Sequence, residues 1–157
     1  MSIAEARATE SAQSFLVGLI GMGIAHSLSG LLHEREADQI GLRYQYRTID
    51  LARLGLPATA ATKVLNSGRD LGFSAFNITH PCKQLVMPFL DELSPETALL
   101  GAVNTVLIVG GRFVGHNTDH SGFTRGLMNS LPRVKLGTVV QIGAGAAGTA
   151  GERTGCG

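Results

Sequence analysis

Tryptophan is absent from the 157 residues, and two Tyr and six Phe make up the whole aromatic complement. So few flat rings leave little on which nucleic-acid bases could stack. Cysteine is as scarce: Cys82 and Cys156 cannot build a disulfide framework, which fits a reducing compartment. Charge is sparse and balanced, with 13 Lys and Arg against 12 Asp and Glu and a formal net charge of +1. With no basic patch, neither nucleic acid nor an anionic membrane is indicated as a partner. Long apolar runs are missing too. The longest, from Phe15 to about Ala25, falls short of the roughly 20 residues a membrane helix needs. Glu5, Arg7 and Glu10 ahead of it do not make the positive region of a secretory signal. The expectation is a cytoplasmic protein.

What is abundant is glycine, 21 residues in all, many at the ends of apolar runs where strands pass into loops. After a polar leader over 1–14, Phe15–Ile20 reads as a buried strand ending in Gly21-Met22-Gly23. Ser27 or Ser29 then caps a helix to about Ile40, with Leu31, Leu32, Ala37 and Ile40 toward a core. A strand over Tyr44–Leu51, a helix from Pro57 to Gly68 and a strand over Phe73–Ile78 follow. Pro81 opens a helix through Leu85, Val86, Phe89 and Leu90, and Ser94 caps a short one. Ala102–Val109 and Arg112–Gly115, joined at Gly110-Gly111, predict a hairpin. A helix over 120–130 and a strand from Gly137 to Ile142 complete the series. This alternation predicts an α/β fold with a mainly parallel sheet flanked by helices, and a domain boundary near Leu131-Pro132.

Polar clusters that directly follow apolar strands are where open α/β sheets bind ligands. In His26-Ser27-Leu28-Ser29, two hydroxyls at a helix start can donate to a carboxylate, although simple N-capping is the more ordinary account of a lone Ser-x-Ser. In Asn77-Ile78-Thr79-His80-Pro81-Cys82-Lys83, the Lys sits in the first turn of a helix. That is the wrong end for a cation and a place suited to a proton shuttle, unless Lys83 is only a solvated surface residue. Gly115-His116-Asn117-Thr118-Asp119 offers an acid after a turn, which could equally cap the next helix. Asn104 opens an apolar strand. The five histidines show no metal-ligand spacing. The Gly143-Ala144-Gly145-Ala146-Ala147-Gly148 run, just after the strand 138–142, has the setting of a dinucleotide-binding loop.

Together these segments resemble the shikimate dehydrogenase family, including its quinate-using members: His26–Ser29, Asn77–Lys83, Gly101–Thr105, Gly115–Asp119 and the Gly143 loop occur in the family's order and spacing over about residues 15 to 150. The resemblance implies reversible reduction of 3-dehydroshikimate to shikimate with NADP or NAD in aromatic amino acid biosynthesis, or quinate oxidation as a variant. It assigns Ser27 and Ser29 to the substrate carboxylate, Thr79, Asn104 and Asp119 to ring hydroxyls, and Lys83 with Asp119 to the proton. Gly143, Gly145, Ala146, Ala147 and Gly148 fall to the cofactor. Gly30 replaces a usual Pro, and His80 with His116 leans toward the quinate-accepting branch. After Gly148 the nine remaining residues (157 − 148) include Gly151, Gly155 and Gly157 and show no helical period. The expectation is therefore a substrate-binding catalytic domain over 15–130 and the truncated start of an NAD(P)-binding Rossmann domain over 131–157, inactive alone in hydride transfer. The rival readings are a binding-only module and a non-functional fragment.

Overall fold

The computed structural model describes residues 14–131; the leader, the expected last strand and the Gly143 loop lie outside them. Strands and helices alternate as β1 (Ser14–Gly21), α1 (Ser29–Gln39), β2 (Arg43–Asp50), α2 (Ala61–Asp70), β3 (Ala75–Ile78), α3 (Cys82–Leu85), β4 (Glu92–Leu93), α4 (Pro95–Leu100), β5 (Thr105–Val109), β6 (Arg112–His116) and α5 (Asp119–Ser130). The six strands form one sheet in the order β2-β1-β3-β5-β6-β4. β1 pairs parallel with β2 over its whole length, Ser14 opposite Arg43 through Gly21 opposite Asp50, and parallel with β3. The β5–β6 hairpin joins β3 antiparallel, so the sheet is mixed, and β4 adds a parallel edge that the sequence reading did not foresee.

This topology sets where chemistry can gather. The parallel strands β1 and β3 end at one edge of the sheet. Because β5 runs antiparallel to β3, its start lies at that same edge, and the hairpin brings the end of β6 there too, with Thr105 opposite His116. The Gly110-Gly111 turn, both residues at positive φ, is left at the far edge.

The two sheet faces are filled differently, as strand alternation requires. On one, Ile20, Phe76, Ile78, Val106 and Phe113 pack with Leu51, Ala61, Leu65, Cys82, Val86 and Val103 into a closed core. Phe76 lies so tightly that a Cβ on Gly18 would come within 2.6 Å of its ring and one on Gly68 within 2.2 Å. The other face carries Val17, Leu19 and Tyr46, joined by Phe15, Tyr44 and Ala75, with α1 over its β2 side.

α1 turns its residues differently from expectation. Only Ala37 is buried in it; Leu31 and Leu32 are 67% and 65% exposed, and Ile40 is exposed as well. The sheet-facing stripe is instead Gly30, His33, Glu34 and Ala37. A Cβ on Gly30 would lie 3.2 Å from the Tyr46 ring. The His33 ring stacks on Tyr46 at 5.0 Å, and Glu34 Oε1 accepts the outward N–H of Tyr46 at 2.8 Å. That last bond satisfies a donor on the open edge of β2, which an apolar residue could not do. The helix expected from Pro81 is also shorter: four residues of α3, then a 3₁₀ turn over Met87–Phe89. So short a helix has little dipole, so the surroundings of Lys83 are set by its neighbours.

Candidate functional site

Four loops meet at the sheet edge described above. The first leaves β1 and is fastened by Asp50, at the end of β2. Its Oδ1 and Oδ2 accept the N–H groups of Gly23 and Ile24, each at 2.9 Å, and Oδ1 also accepts that of Ala52 at 3.1 Å. Burial pushes the Asp50 carboxyl upward, but these backbone donors outweigh it and hold the group below the ordinary carboxylate range. The anchored loop delivers Ser27 and Ser29, whose hydroxyls bond to each other at 3.0 Å. Neither caps α1 in the usual manner: the N-cap position is Leu28 and no side chain serves there.

The second loop follows β3. Thr79 donates its N–H to Ile20 O, and Gly21 makes room for its side chain, since a Cβ there would fall 2.4 Å from the Thr79 methyl. Lys83 is held through its own carbonyl, which accepts Val103 N–H at 3.0 Å. The third and fourth loops are stitched to each other. Asn104 N donates to His116 O at 3.0 Å. The buried Asn117 donates from Nδ2 to Ala102 O at 2.7 Å and accepts Asp119 N–H at 2.8 Å. Asp119 is thus the first residue of α5, with its carboxylate free of capping duty.

That carboxylate points back to the second loop. Lys83 Nζ lies 2.5 Å from Asp119 Oδ2, and Asn104 Nδ2 lies 2.9 Å from Asp119 Oδ1. The pair is partly shielded from water and borders a cleft of about 1000 Å³, whose wall also includes Ser29, Thr79, Asn104 and Thr118 at its polar end and Phe15, Tyr44, Leu107 and Val109 farther out. Of the residues singled out in the sequence, Ser29, Thr79, Lys83, Asn104 and Asp119 line this one cleft; Ser27 stands behind Ser29. The cofactor candidates Gly143, Gly145, Ala146, Ala147 and Gly148 lie outside the described residues.

Tyr46, Thr105 and Asp50 are parts of the site's framework that the sequence did not single out. Tyr46 donates to Asn77 Oδ1 at 2.8 Å. Its phenol is pushed up to about 12, by burial first and by Tyr44 second, against a hydrogen bond from Ser29 that pulls it down. Alternation of Tyr44 and Tyr46 on one strand signalled a common face, but not which cleft that face would line. Among the described residues no group of three or more His, Cys, Asp or Glu could hold a metal ion, and no helix is long and apolar enough to cross a membrane.

An α/β domain with an open cleft at the ends of its strands, bordered at its polar end by an apposed Lys–Asp pair, is the class that fold and site define. The family model of the shikimate dehydrogenase substrate binding domain matches residues 19–106, and the chain belongs to that family. It is 58% identical over 139 residues to a shikimate dehydrogenase (NADP(+)) of Arthrobacter sp., covering 88% of this chain and 47% of the relative. A quinate/shikimate dehydrogenase (NAD(+)) of Corynebacterium efficiens is 47% identical over 138 residues, covering 87% and 49%. The solved structure of quinate dehydrogenase from Corynebacterium glutamicum in complex with NAD superimposes with a TM-score of 0.81 at 42% identity, over 90% of this chain and 51% of that one. The chain spans about half the length of the curated relatives it matches.

Proposed function

We propose that residues 15–130 are the substrate-binding unit of a shikimate dehydrogenase-type oxidoreductase, reducing 3-dehydroshikimate to shikimate reversibly in the cytoplasm, and that 131–157 begin its cofactor-binding part. The observation that carries this reading is the Lys83–Asp119 contact of 2.5 Å at the wall of the cleft that Ser29, Thr79 and Asn104 also line. Ser27 and Ser29 receive the ligand's carboxylate as hydroxyl donors, and Thr79, Asn104 and Asp119 hold its ring hydroxyls. Carbon gives up hydride from a secondary alcohol only as the hydroxyl proton departs. In the oxidation direction that proton passes to the Lys83–Asp119 pair and a ketone is left; reduction runs the same transfer in reverse, as general acid catalysis.

NADP or NAD, when bound, accepts or supplies the hydride. No glycine-rich phosphate loop borders the cleft among the described residues. The loop proposed to hold the cofactor, Gly143–Gly148, lies beyond them, and no step is drawn through it. The Arthrobacter relative favours shikimate with NADP. Quinate with NAD is a second reading, favoured by the Corynebacterium glutamicum structure.

Calorimetric titration of the chain with shikimate and with quinate tests the proposal. Saturable heat with at least one, abolished by Ser27→Ala/Ser29→Ala, is the expected result. Silence from both at millimolar concentration overturns it. A chimera completed with the second half of the Arthrobacter relative then reports on nicotinamide absorbance.

A further inference from the structure

Tyr46, Asn77, Thr105, Asn104 and Asp119 form one continuous chain of hydrogen bonds along the cleft, and its direction follows from two groups at its end. Asp119 in its carboxylate form only accepts, and the backbone N–H of Thr118 only donates. Asn104 bridges them, with Nδ2 toward Asp119 Oδ1 at 2.9 Å and toward Thr118 Oγ1 at 2.9 Å, and Oδ1 accepting Thr118 N–H at 3.1 Å. Its amide therefore has one orientation. Thr105 must then donate to Asn104 Oδ1, at 2.9 Å, which leaves its oxygen to accept from Asn77 Nδ2 at 3.3 Å. That places Asn77 Oδ1 toward Tyr46, which must donate to it at 2.8 Å. Ser29, on the same cleft wall as Tyr46, accepts from Ser27 at 3.0 Å. Every donor points the same way, from the Tyr46 phenol to the Asp119 carboxylate.

We infer that Asn77 and Thr105 are positioning residues that lock the Asn104 amide, and through it Asp119, so that the proton-handling end of the cleft is set before any ligand arrives. The inference rests on the proposed function in taking Asp119 and Lys83 as that end. A ligand carboxylate would draw the Ser27 and Ser29 protons to itself and leave every bond from Tyr46 onward intact, because none of those bonds depends on a serine as acceptor. Without Thr105, Asn104 Oδ1 would keep only the Thr118 N–H as donor, so the amide would hold the same orientation less rigidly. Chains of mutually polarising bonds fail together more than their separate links would suggest.

The test compares the parent chain with Thr105→Val, Thr105→Ser, Tyr46→Phe and the Tyr46→Phe/Thr105→Val pair. Nitrogen-15 spectra of the side-chain amides need no ligand. In the parent, the two Asn104 Nδ2 protons should be separately shifted and slow to exchange with water. Thr105→Val should move them toward the values of a free amide, Thr105→Ser should restore them, and Tyr46→Phe should disturb them across the intervening Asn77. Unchanged Asn104 signals in Thr105→Val, or in Tyr46→Phe, overturn the inference. Shikimate affinity gives a second reading. Independent sites lose affinity multiplicatively, whereas in one chain the double variant should retain at least about twofold more affinity than the product of the single losses predicts. Multiplicative losses overturn the chain. Failure of the parent to bind shikimate counts against the proposed function alone, since the amide spectra judge the chain without it.

Discussion

The two faces of the sheet are made from the same strands and solve opposite problems. On the face of Phe76 and Ile78, glycines at 18 and 68 admit an aromatic ring at contact distance, within a cluster of buried apolar residues. On the face of Tyr46 and Asn77, α1 covers one side only, and the remainder opens as a cleft whose polar atoms bond to one another. The closed face holds the chain together by burial and close packing. The open face instead exposes polar groups of β2, β3 and β5 along the cleft wall. The contrast teaches that pre-organisation at the cleft depends on stiffness behind it: Asn77 and Thr105 are fixed because Phe76 and Val106, their strand neighbours, are.

The largest effect expected from breaking this division is chemical. In the chimera, Lys83→Ala should lower kcat by about 10²–10⁴-fold, the usual worth of a general acid–base group, with a much smaller change in KM; near-normal turnover would reassign Lys83 to binding. Next comes the closed face. Phe76→Ala should cost about 3–5 kcal/mol in urea unfolding, because the cavity left among Gly18, Gly68 and Val106 cannot collapse onto a rigid sheet. Gly68→Ala approaches the same ring from the other side, its Cβ 2.2 Å from Phe76 Cζ, and should cost about 1–3 kcal/mol through overpacking.

Alkaline pH separates the faces without mutation. The folded chain holds the Tyr46 proton more tightly than the unfolded chain does, its phenol being raised to about 12. The resulting stabilisation is complete below the ordinary tyrosine value near 10 and is lost as the pH climbs from there to about 12. Tyr46→Phe should flatten that part of the stability–pH curve; an unchanged slope would show that Tyr46 ionises as freely as an exposed tyrosine. The smallest effect belongs to the open side of the cleft. Leu107, 38% exposed, should tolerate Leu107→Thr within about 0.5 kcal/mol, and a loss comparable to that of Phe76→Ala would mean this face is as closed as the other.

Much of this was legible in the chain itself. Strand and helix order followed from apolar runs broken by glycine and proline, since period and punctuation are local properties. The polar clusters at Ser27–Ser29, Thr79–Lys83, Asn104 and Asp119 stood out for the same reason, each coming straight after or before a strand. The facing of α1 was not legible: Leu31 and Leu32 match an inward stripe as well as an outward one, and only the fit of Gly30 and His33 against Tyr46 decides between them. The two-residue β4 was invisible because so short a strand is defined by pairing with β6, not by its own residues.

Sequence by itself determined which residues could donate, accept or carry a proton, and that they would lie at strand ends. Tertiary structure alone decided that Lys83 would meet Asp119, 36 residues away, and that Tyr46, Asn77, Thr105 and Asn104 would be linked to that carboxylate. Hydrogen bonds between side chains on different strands depend on register and strand order, and those are settled by burying Phe76, Ile20 and Val106 together, a condition on the whole sheet that no local stretch of residues contains.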